Sequence, residues 1–293
     1  MNTIGFVGLG AMGSRIASRL IATGHHVSGT NRTQAKAAPL IERGLAWHDT
    51  PRQVAHTSDV VFSMVTDDAA LAAIASGPDG LLAGLKAGQI WVDMSTVSPE
   101  ASQEMADRSR AQGAMMLDAP VSGSVHEAEE GRLAIMVGGS PEAFATVEPL
   151  LRELGQTLRH VGGNGQGVRL KLAVNISLVA QILALSEGIV LAERGGIPRE
   201  LAVDVIAHSS VGSPLVLGRA PLLLDLPDEA WFDVALAHKD IRLALATGER
   251  EAVSLPAAEL ADEWLSTAES LGYRHKDVAS LLTVLDERAS RKP

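Results

Sequence analysis

Two hundred and ninety-three residues are too many for one small module and suit two domains of ordinary size, and a chain that is 46% hydrophobic with a mean hydropathy of +0.14 can bury sizeable cores. It holds no cysteine, which excludes disulfide frameworks, thiolate catalysis and Cys-ligated zinc or iron–sulfur sites. A formal charge of −10 with only 4 Trp, 1 Tyr and 4 Phe leaves neither the basic stripe nor the stacking platforms of a nucleic-acid binder.

The N-terminus runs directly into a strand-like segment without a basic, then apolar, leader, so a cytoplasmic location is expected. Strands are predicted at Thr3–Val7, His26–Thr30, Val60–Met64, Ile90–Met94, Met115–Ala119, Ala134–Gly138 and Thr157–Val161. Between them, helical periodicity covers Met12–Ala22, Gln34–Arg43, Pro99–Gln112 and Pro141–Glu153. Strands spaced by helices predict βαβ units and a mostly parallel, doubly wound α/β sheet of the Rossmann type.

Beyond the breaker cluster Gly162-Gly163-Asn164-Gly165 the strand-like runs stop. Helices are predicted at Val168–Arg194, Arg199–Ser209, Val234–Thr247, Ala257–Leu271 and Asp277–Ala289, with a frayed end at Arg288–Pro293. The expected division is therefore an α/β domain over 1–162 and an all-helical domain over 163–293, linked by one long helix. That helix is apolar on most faces, which predicts burial by another domain or a second subunit. Its stretch Ala173–Ala192 carries Asn175, Ser177, Gln181, Ser186 and Glu187, too many polar groups for a membrane span.

The first strand leads into Gly8-Leu9-Gly10-Ala11-Met12-Gly13, a G-x-G-x-x-G loop that opens a helix. Alone the triplet also fits ordinary glycine turns. After a strand and before an amphipathic helix it predicts a dinucleotide site, with the pyrophosphate on the helix N-terminus. An NAD site commonly places an acid about 20 residues on, yet no acid occurs between Gly13 and Glu42. The second strand instead ends Thr30-Asn31-Arg32-Thr33, with Lys36 a helical turn later. A guanidinium there can pair with a 2′-phosphate, although a solvated arginine at a helix start would read the same. NADP is favoured over NAD, with Arg32 the main determinant and Asn31, Thr33 and Lys36 in support.

Asp118-Ala119-Pro120-Val121-Ser122-Gly123-Ser124 follows a strand, and its Ser-Gly turn suits a small anion as well as it suits a plain turn. Gly165-Gln166-Gly167-Val168-Arg169-Leu170-Lys171 opens the long helix, with Asn175 four residues on, so Lys171 and Asn175 share a helix face. A lysine at the start of an otherwise apolar helix is normally a surface residue; with apolar neighbours and a cationic nicotinamide close by, its pKa would fall toward neutrality and fit it for proton transfer. Lys239-Asp240 follows Phe232 later in the chain.

Over essentially its whole length the chain resembles the β-hydroxyacid dehydrogenases, a family that includes 3-hydroxyisobutyrate dehydrogenase, tartronate semialdehyde reductase and glyoxylate/succinic semialdehyde reductases. Four segments in the same order carry the likeness: Gly8-Leu9-Gly10-Ala11-Met12-Gly13, Asp118-Ala119-Pro120-Val121-Ser122-Gly123, Gly165-x-Gly167-x-x-x-Lys171-x-x-x-Asn175, and Lys239-Asp240. The resemblance implies hydride transfer between NADP(H) and a small 3-hydroxy acid or semialdehyde, in a homodimer or homotetramer. It implies that Ser122 and Gly123 bind the substrate carboxylate, that Lys171 is the general acid/base, and that Asn175 positions Lys171 or the substrate. Thr96 and Lys239 would lie on the nicotinamide side, Thr96 also against substrate, and Met64-Val65-Thr66 would pack along the cofactor. Phe232, beside Trp231, and the Val211–Leu217 segment would line the substrate end. Asp240 reads as a structural partner of its neighbours. The family's second glycine after Ser-Gly is Ser124 here, which would add a side chain at the substrate pocket; His126 reads as an exposed loop residue.

Other chemistries fit less well. The only tyrosine, Tyr273, precedes Arg274-His275-Lys276 and cannot form a Tyr-x-x-x-Lys pair. No histidine–aspartate constellation or metal-binding spacing stands out. An imine reductase on the same scaffold would usually replace the lysine and lack the Ser-Gly loop. A non-catalytic NADP-binding sensor would need neither Lys171 nor that loop.

Overall fold

The structure is a computed structural model that describes residues 3–290. The chain divides into two compact units, Met1–Lys171 and Leu172–Pro293.

The first unit is built on nine strands. It begins with β1 (Ile4–Val7), α1 (Ala11–Ala22), β2 (Val27–Thr30), α2 (Ala38–Glu42), β3 (Ala46–Trp47), α3 (Pro51–His56) and β4 (Val60–Ser63). It continues through α4 (Asp68–Ala75), α5 (Leu81–Gly84), β5 (Ile90–Asp93), α6 (Pro99–Ala111), β6 (Met115–Asp118) and β7 (Val121–Ser122). It closes with α7 (Val125–Glu130), β8 (Leu133–Gly138), α8 (Pro141–Leu154) and β9 (Gly155–Gly162).

The sheet runs β3-β2-β1-β4-β5-β6-β8-β7, with β9 beside β8. Every pair from β3 to β6 is parallel; β8 runs antiparallel to β6 and β7 and parallel to β9. β1, β2, β4 and β5 are buried at every position, as strands covered on both faces must be. Phe6, Phe62, Ile16 and Leu20 lie at the centre of that core.

The predicted α/β alternation holds, with local differences. Gln34–Arg43 is not one helix: a 3₁₀ turn over Gln34–Ala37 gives way to α2, whose second residue, Pro39, has no N–H to continue the earlier ladder. The pairs β3 and β7 are two residues each, too short to show alternation. The short helices α3, α4, α5 and α7 add to the helical stretches named above; three of them carry local side-chain caps, from Thr50, Asp67 and Ser124.

The second unit is all-helical. α9 (Gln166–Arg194) runs into it, followed by α10 (Arg199–His208), α11 (Pro214–Leu224), α12 (Val234–Arg250), α13 (Pro256–Ser270) and α14 (Leu281–Ser290). α11, absent from the sequence reading, starts at the Ser213 cap with Pro214 in its first turn. Val179 and Ile182 of α9 pack with Ala237, Ile241, Ala261 and Leu265, while Leu185 and Ile189 pack with Val203, Val216 and Leu222. α9 is long and apolar enough to cross a membrane by length and composition, but these contacts make it the core helix of this unit. Leu191 remains 76% exposed. Of the expected frayed end, Arg288–Ser290 belong to α14 and residues 291–293 lie outside the described residues.

Candidate active site

From β1 the chain steps outward to β2 and β3 and then crosses back to β4 on the other side of β1, and this reversal of strand order opens a crevice at the carboxyl ends of the strands. The glycine-rich loop sits at that point. Gly8 has φ +97°, and a Cβ there would lie 2.2 Å from the Met64 carbonyl oxygen. At Gly13 a Cβ would lie 2.1 Å from the Gly8 carbonyl oxygen, so the helix can approach the strand only without one. A Cβ on Gly10 would meet nothing within 4 Å. Helix α1 has no side-chain cap and no acid in its first turn, whereas α3, α4, α6 and α8 are capped by Thr50, Asp67, Ser98 and Ser140. First-turn N–H groups left without a side-chain cap, beside the open space at Gly10, fit the pyrophosphate of a dinucleotide.

Leu9 is buried, and its N–H is not directed at that space: it donates to Asn31 Oδ1 at 3.1 Å. Asn31 Nδ2 in turn donates to the Thr33 carbonyl oxygen at 3.0 Å. Asn31 thus ties the end of β2 to the glycine loop. Arg32, Thr33 and Lys36 are exposed beside it, and the Arg32 guanidinium has no hydrogen bond or ion pair among the described residues.

The next two strands end in a buried polar network that the sequence reading missed. Asp93 at the end of β5 accepts from Ser63 Oγ at 2.6 Å and Ser95 Oγ at 2.7 Å, both on Oδ1. Trp91 Nε1 donates to Ser63 Oγ at 2.7 Å, and the Val65 N–H donates to Ser95 Oγ at 2.9 Å. Among the described residues Oδ2 of Asp93 has no hydrogen-bond partner. Burial, with a smaller push from the neighbouring charge of Asp118, raises Asp93 to about 6 against the hydroxyl bonds that oppose it. Through Ser95 this network holds the Met64-Val65-Thr66 segment. Thr66 is exposed and donates to Asp67 Oδ2 at 3.1 Å, while Thr96 is half-buried.

Asp118, in register with Asp93 on β6, is also fully buried. Its Oδ1 accepts the Gly165 N–H at 2.7 Å and its Oδ2 the Val168 N–H at 3.0 Å. Burial raises its pKa, and these backbone donors work against the rise. Four residues on, half-buried Ser122 pairs with Ala134 of β8, and Gly123 adopts φ +140°. The Ser124 hydroxyl is engaged locally: it caps α7, accepting from the His126 N–H and donating to Glu127, whose carboxylate returns to the Ser124 N–H at 2.7 Å. His126 is exposed, as expected, but on α7 rather than a loop, 3.3 Å from Glu130. Lys171, sixth residue of α9, is only 9% exposed.

In the second unit, Asn175 Nδ2 donates to Asp240 Oδ2 at 2.5 Å, and Lys239 Nζ lies 2.8 Å from Asp240 Oδ1. Asn175 is 1% exposed, and among the described residues its Oδ1 has no hydrogen-bond partner. The half-buried Phe232 is held by its backbone. Asp277 Oδ2 accepts the N–H groups of Trp231 and Phe232 at 2.9 and 3.1 Å, and its Oδ1 is paired to buried Arg219 at 2.5 Å.

A cavity of about 760 Å³ lies elsewhere in the first unit, lined by Gln103, Arg110, His160, Asn164 and Gln166 among others, and none of the sequence-predicted residues borders it. His160 there bonds the Gly139 carbonyl oxygen at 2.9 Å and stacks on Phe144, which leaves it a structural role. Among the described residues no cluster of three His, Asp or Glu could hold a metal.

Residues 3–162 match the family described as the NAD binding domain of 6-phosphogluconate dehydrogenase, and 165–285 match the NAD-binding domain of NADP-dependent 3-hydroxyisobutyrate dehydrogenase. The chain is 31% identical to glyoxylate/succinic semialdehyde reductase 2 of Arabidopsis thaliana, over 99% of this chain and 81% of that protein. It is 32% identical to 2-hydroxy-3-oxopropionate reductase of Escherichia coli, over 99% of each. The solved structure of 3-hydroxyisobutyrate dehydrogenase from Salmonella typhimurium matches with a TM-score of 0.88 at 27% identity, over 96% of this chain and 99% of that one. Matched in both units and along its whole length, this chain belongs to the β-hydroxyacid dehydrogenase family and is an NAD(P)-dependent oxidoreductase of that kind.

Proposed function

We propose that the protein interconverts a small 3-hydroxy acid and its semialdehyde with NADP(H), using Lys171 as general acid/base. The observation that carries this reading is the burial of the Lys171 side chain, 9% exposed, on a helix whose start is bonded to the strand leading into Ser122-Gly123. An ammonium kept largely from water at that point is suited to proton transfer rather than to solubility.

Gly8, Gly10, Ala11, Met12 and Gly13 hold the cofactor's pyrophosphate, and Arg32, with Thr33 and Lys36 near it, faces a 2′-phosphate. The unpartnered guanidinium and the lack of an acid before Glu42 support NADP over NAD. When bound, the nicotinamide ring supplies or accepts the hydride at C4. Ser122 and Gly123 anchor the substrate carboxylate. In reduction the Lys171 ammonium donates a proton to the aldehyde oxygen, and in oxidation the amine takes it back. Asn175, one helical turn on, positions the amine or the substrate; its buried, unpartnered Oδ1 supports such a role. The assignments of Thr96, Lys239 and Phe232 rest on the family likeness.

The domain division follows 1–162 for cofactor and 163–293 for substrate and assembly, in a cytoplasmic homodimer or homotetramer. Exposed apolar Leu191, Leu201, Val205 and Val211 in the second unit support assembly. A panel of small aldehydes and hydroxy acids, assayed with NADPH and with NADH, tests the reading. NADPH-dependent reduction of a short carboxylated aldehyde is the expected result. Tight cofactor binding without turnover of any member would instead identify a binding protein.

A further inference from the structure

We propose that Asp118 is a positioning residue for Lys171: its carboxylate caps the N-terminus of α9 and so fixes where that helix presents its amine. The proposal rests on the proton-transfer role of Lys171 given above.

Most capped helices of this unit take their cap from the residue next to them; Thr50, Asp67, Ser98 and Ser140 each bond an N–H three residues on. α9 does not. Its cap comes from the end of β6, 47 residues before Gly165 and 50 before Val168. The local candidate, Asn164, is turned away and gives its Nδ2 to the Met116 carbonyl oxygen at 2.8 Å.

Three glycines make this long-range cap possible. A Cβ on Gly138 would lie 2.6 Å from Asp118 Oδ1, and one on Gly167 would lie 2.8 Å from Oδ2. Gly165 turns with φ +86° to aim its N–H at the carboxylate. A helix that needed only an end would use a serine or aspartate beside it and would not require burial of a charge. What the distant cap adds is a fixed relation between two functional segments. Ser122 lies four residues after Asp118, and Lys171 lies three residues after Val168, so one carboxylate sets the amine against the substrate anchor. The same negative charge offsets the partial positive charge of the helix start near the ammonium.

The test uses Asp118→Asn in the full-length protein, with turnover expressed per NADPH-binding site so that unfolded chains drop out. An amide cannot accept both N–H groups and carries no charge. We expect kcat for aldehyde reduction to fall roughly tenfold to a hundredfold, with the NADPH dissociation constant within about twofold of wild type. The alkaline limb of the reduction profile should move down by about half a pH unit. In the cofactor-free variant, amide hydrogen exchange at Gly165 and Val168 should accelerate. A purely structural role would lower the melting temperature and leave kcat per site and the alkaline limb at wild-type values; that result overturns the proposal.

Gly167→Ala provides the second variant, because it keeps the charge but pushes the helix start off the carboxylate. Reduced kcat with an unmoved alkaline limb supports the proposal, and wild-type kcat overturns it, even where Asp118→Asn yields no NADPH-binding protein. Lys171→Ala run in parallel separates the two claims. Wild-type turnover in Lys171→Ala defeats the proton-transfer reading, whereas an inactive Lys171→Ala beside a fully active Asp118→Asn defeats only the role of Asp118.

Discussion

Asn31 accepts the Leu9 N–H across a separation of 22 residues, so the second strand's end and the glycine loop are held as one surface. The amide is thereby committed to shape, and the proposed 2′-phosphate contact falls to Arg32 beside it. Arg32→Ala is expected to weaken NADPH binding about tenfold or more while changing NADH binding little, since only the former offers a phosphate to pair with. Asn31→Ala should weaken both cofactors to a similar degree. Fluorescence titration of the two variants with each cofactor checks this; equal losses for Arg32→Ala would remove it from the role.

Gly10 and Gly13 predict opposite outcomes for the same small change. A methyl on Gly13 would collide with the Gly8 backbone, so Gly13→Ala should lower stability by at least about 1 to 3 kcal/mol. A methyl on Gly10 meets open space, so Gly10→Ala should leave the melting temperature within a degree or two and weaken NADPH binding, because it fills the approach to the helix N-terminus. Thermal denaturation of the cofactor-free proteins, paired with NADPH titration, separates the two.

Asp93 makes the stability of the protein depend on pH in a direction opposite to that of most carboxylates. Its folded value of about 6 lies above the ordinary 3.8, so the folded protein holds this proton more tightly than the unfolded chain does. The stability it contributes grows as pH falls through about 6 and levels off near 4, by on the order of 3 kcal/mol in all. Asp93→Asn lacks this dependence. Urea denaturation at pH 8 and pH 5 should therefore show wild type gaining on Asp93→Asn at the lower pH; a constant difference would contradict the burial argument.

Arg219 and Asp277 form a buried pair that also fixes the backbone of Trp231 and Phe232. Arg219→Ala leaves that carboxylate buried without its cation and should cost about 3–5 kcal/mol in urea denaturation. A loss below 1 kcal/mol would show that the backbone donors alone satisfy Asp277.

The glycine loop was legible because its requirements are local: Gly8 needs its positive φ and Gly13 its bare Cα, and both follow from a strand turning at once into a helix. The long apolar run of α9 was equally readable. What the sequence concealed were the buried acids. Asp93 and Asp118 fall within predicted strands and Asp277 at a predicted helix start, and nothing in the chain marks their partners, which lie 30, 47 and 58 residues away. Only the parallel sheet brings Asp93 beside Asp118. Short elements escaped for a simpler reason, since two residues of β3 or β7 cannot display a period. The Ser124 hydroxyl caps α7, a local engagement that its place in the motif did not reveal.

The central claim is most directly tested by steady-state turnover of Lys171→Ala with NADPH and a small carboxylated aldehyde that wild type reduces. General acid–base catalysis predicts a loss in kcat of roughly 10²–10⁴-fold, with NADPH affinity preserved. Turnover within a few-fold of wild type, with the cofactor bound as before, would contradict it.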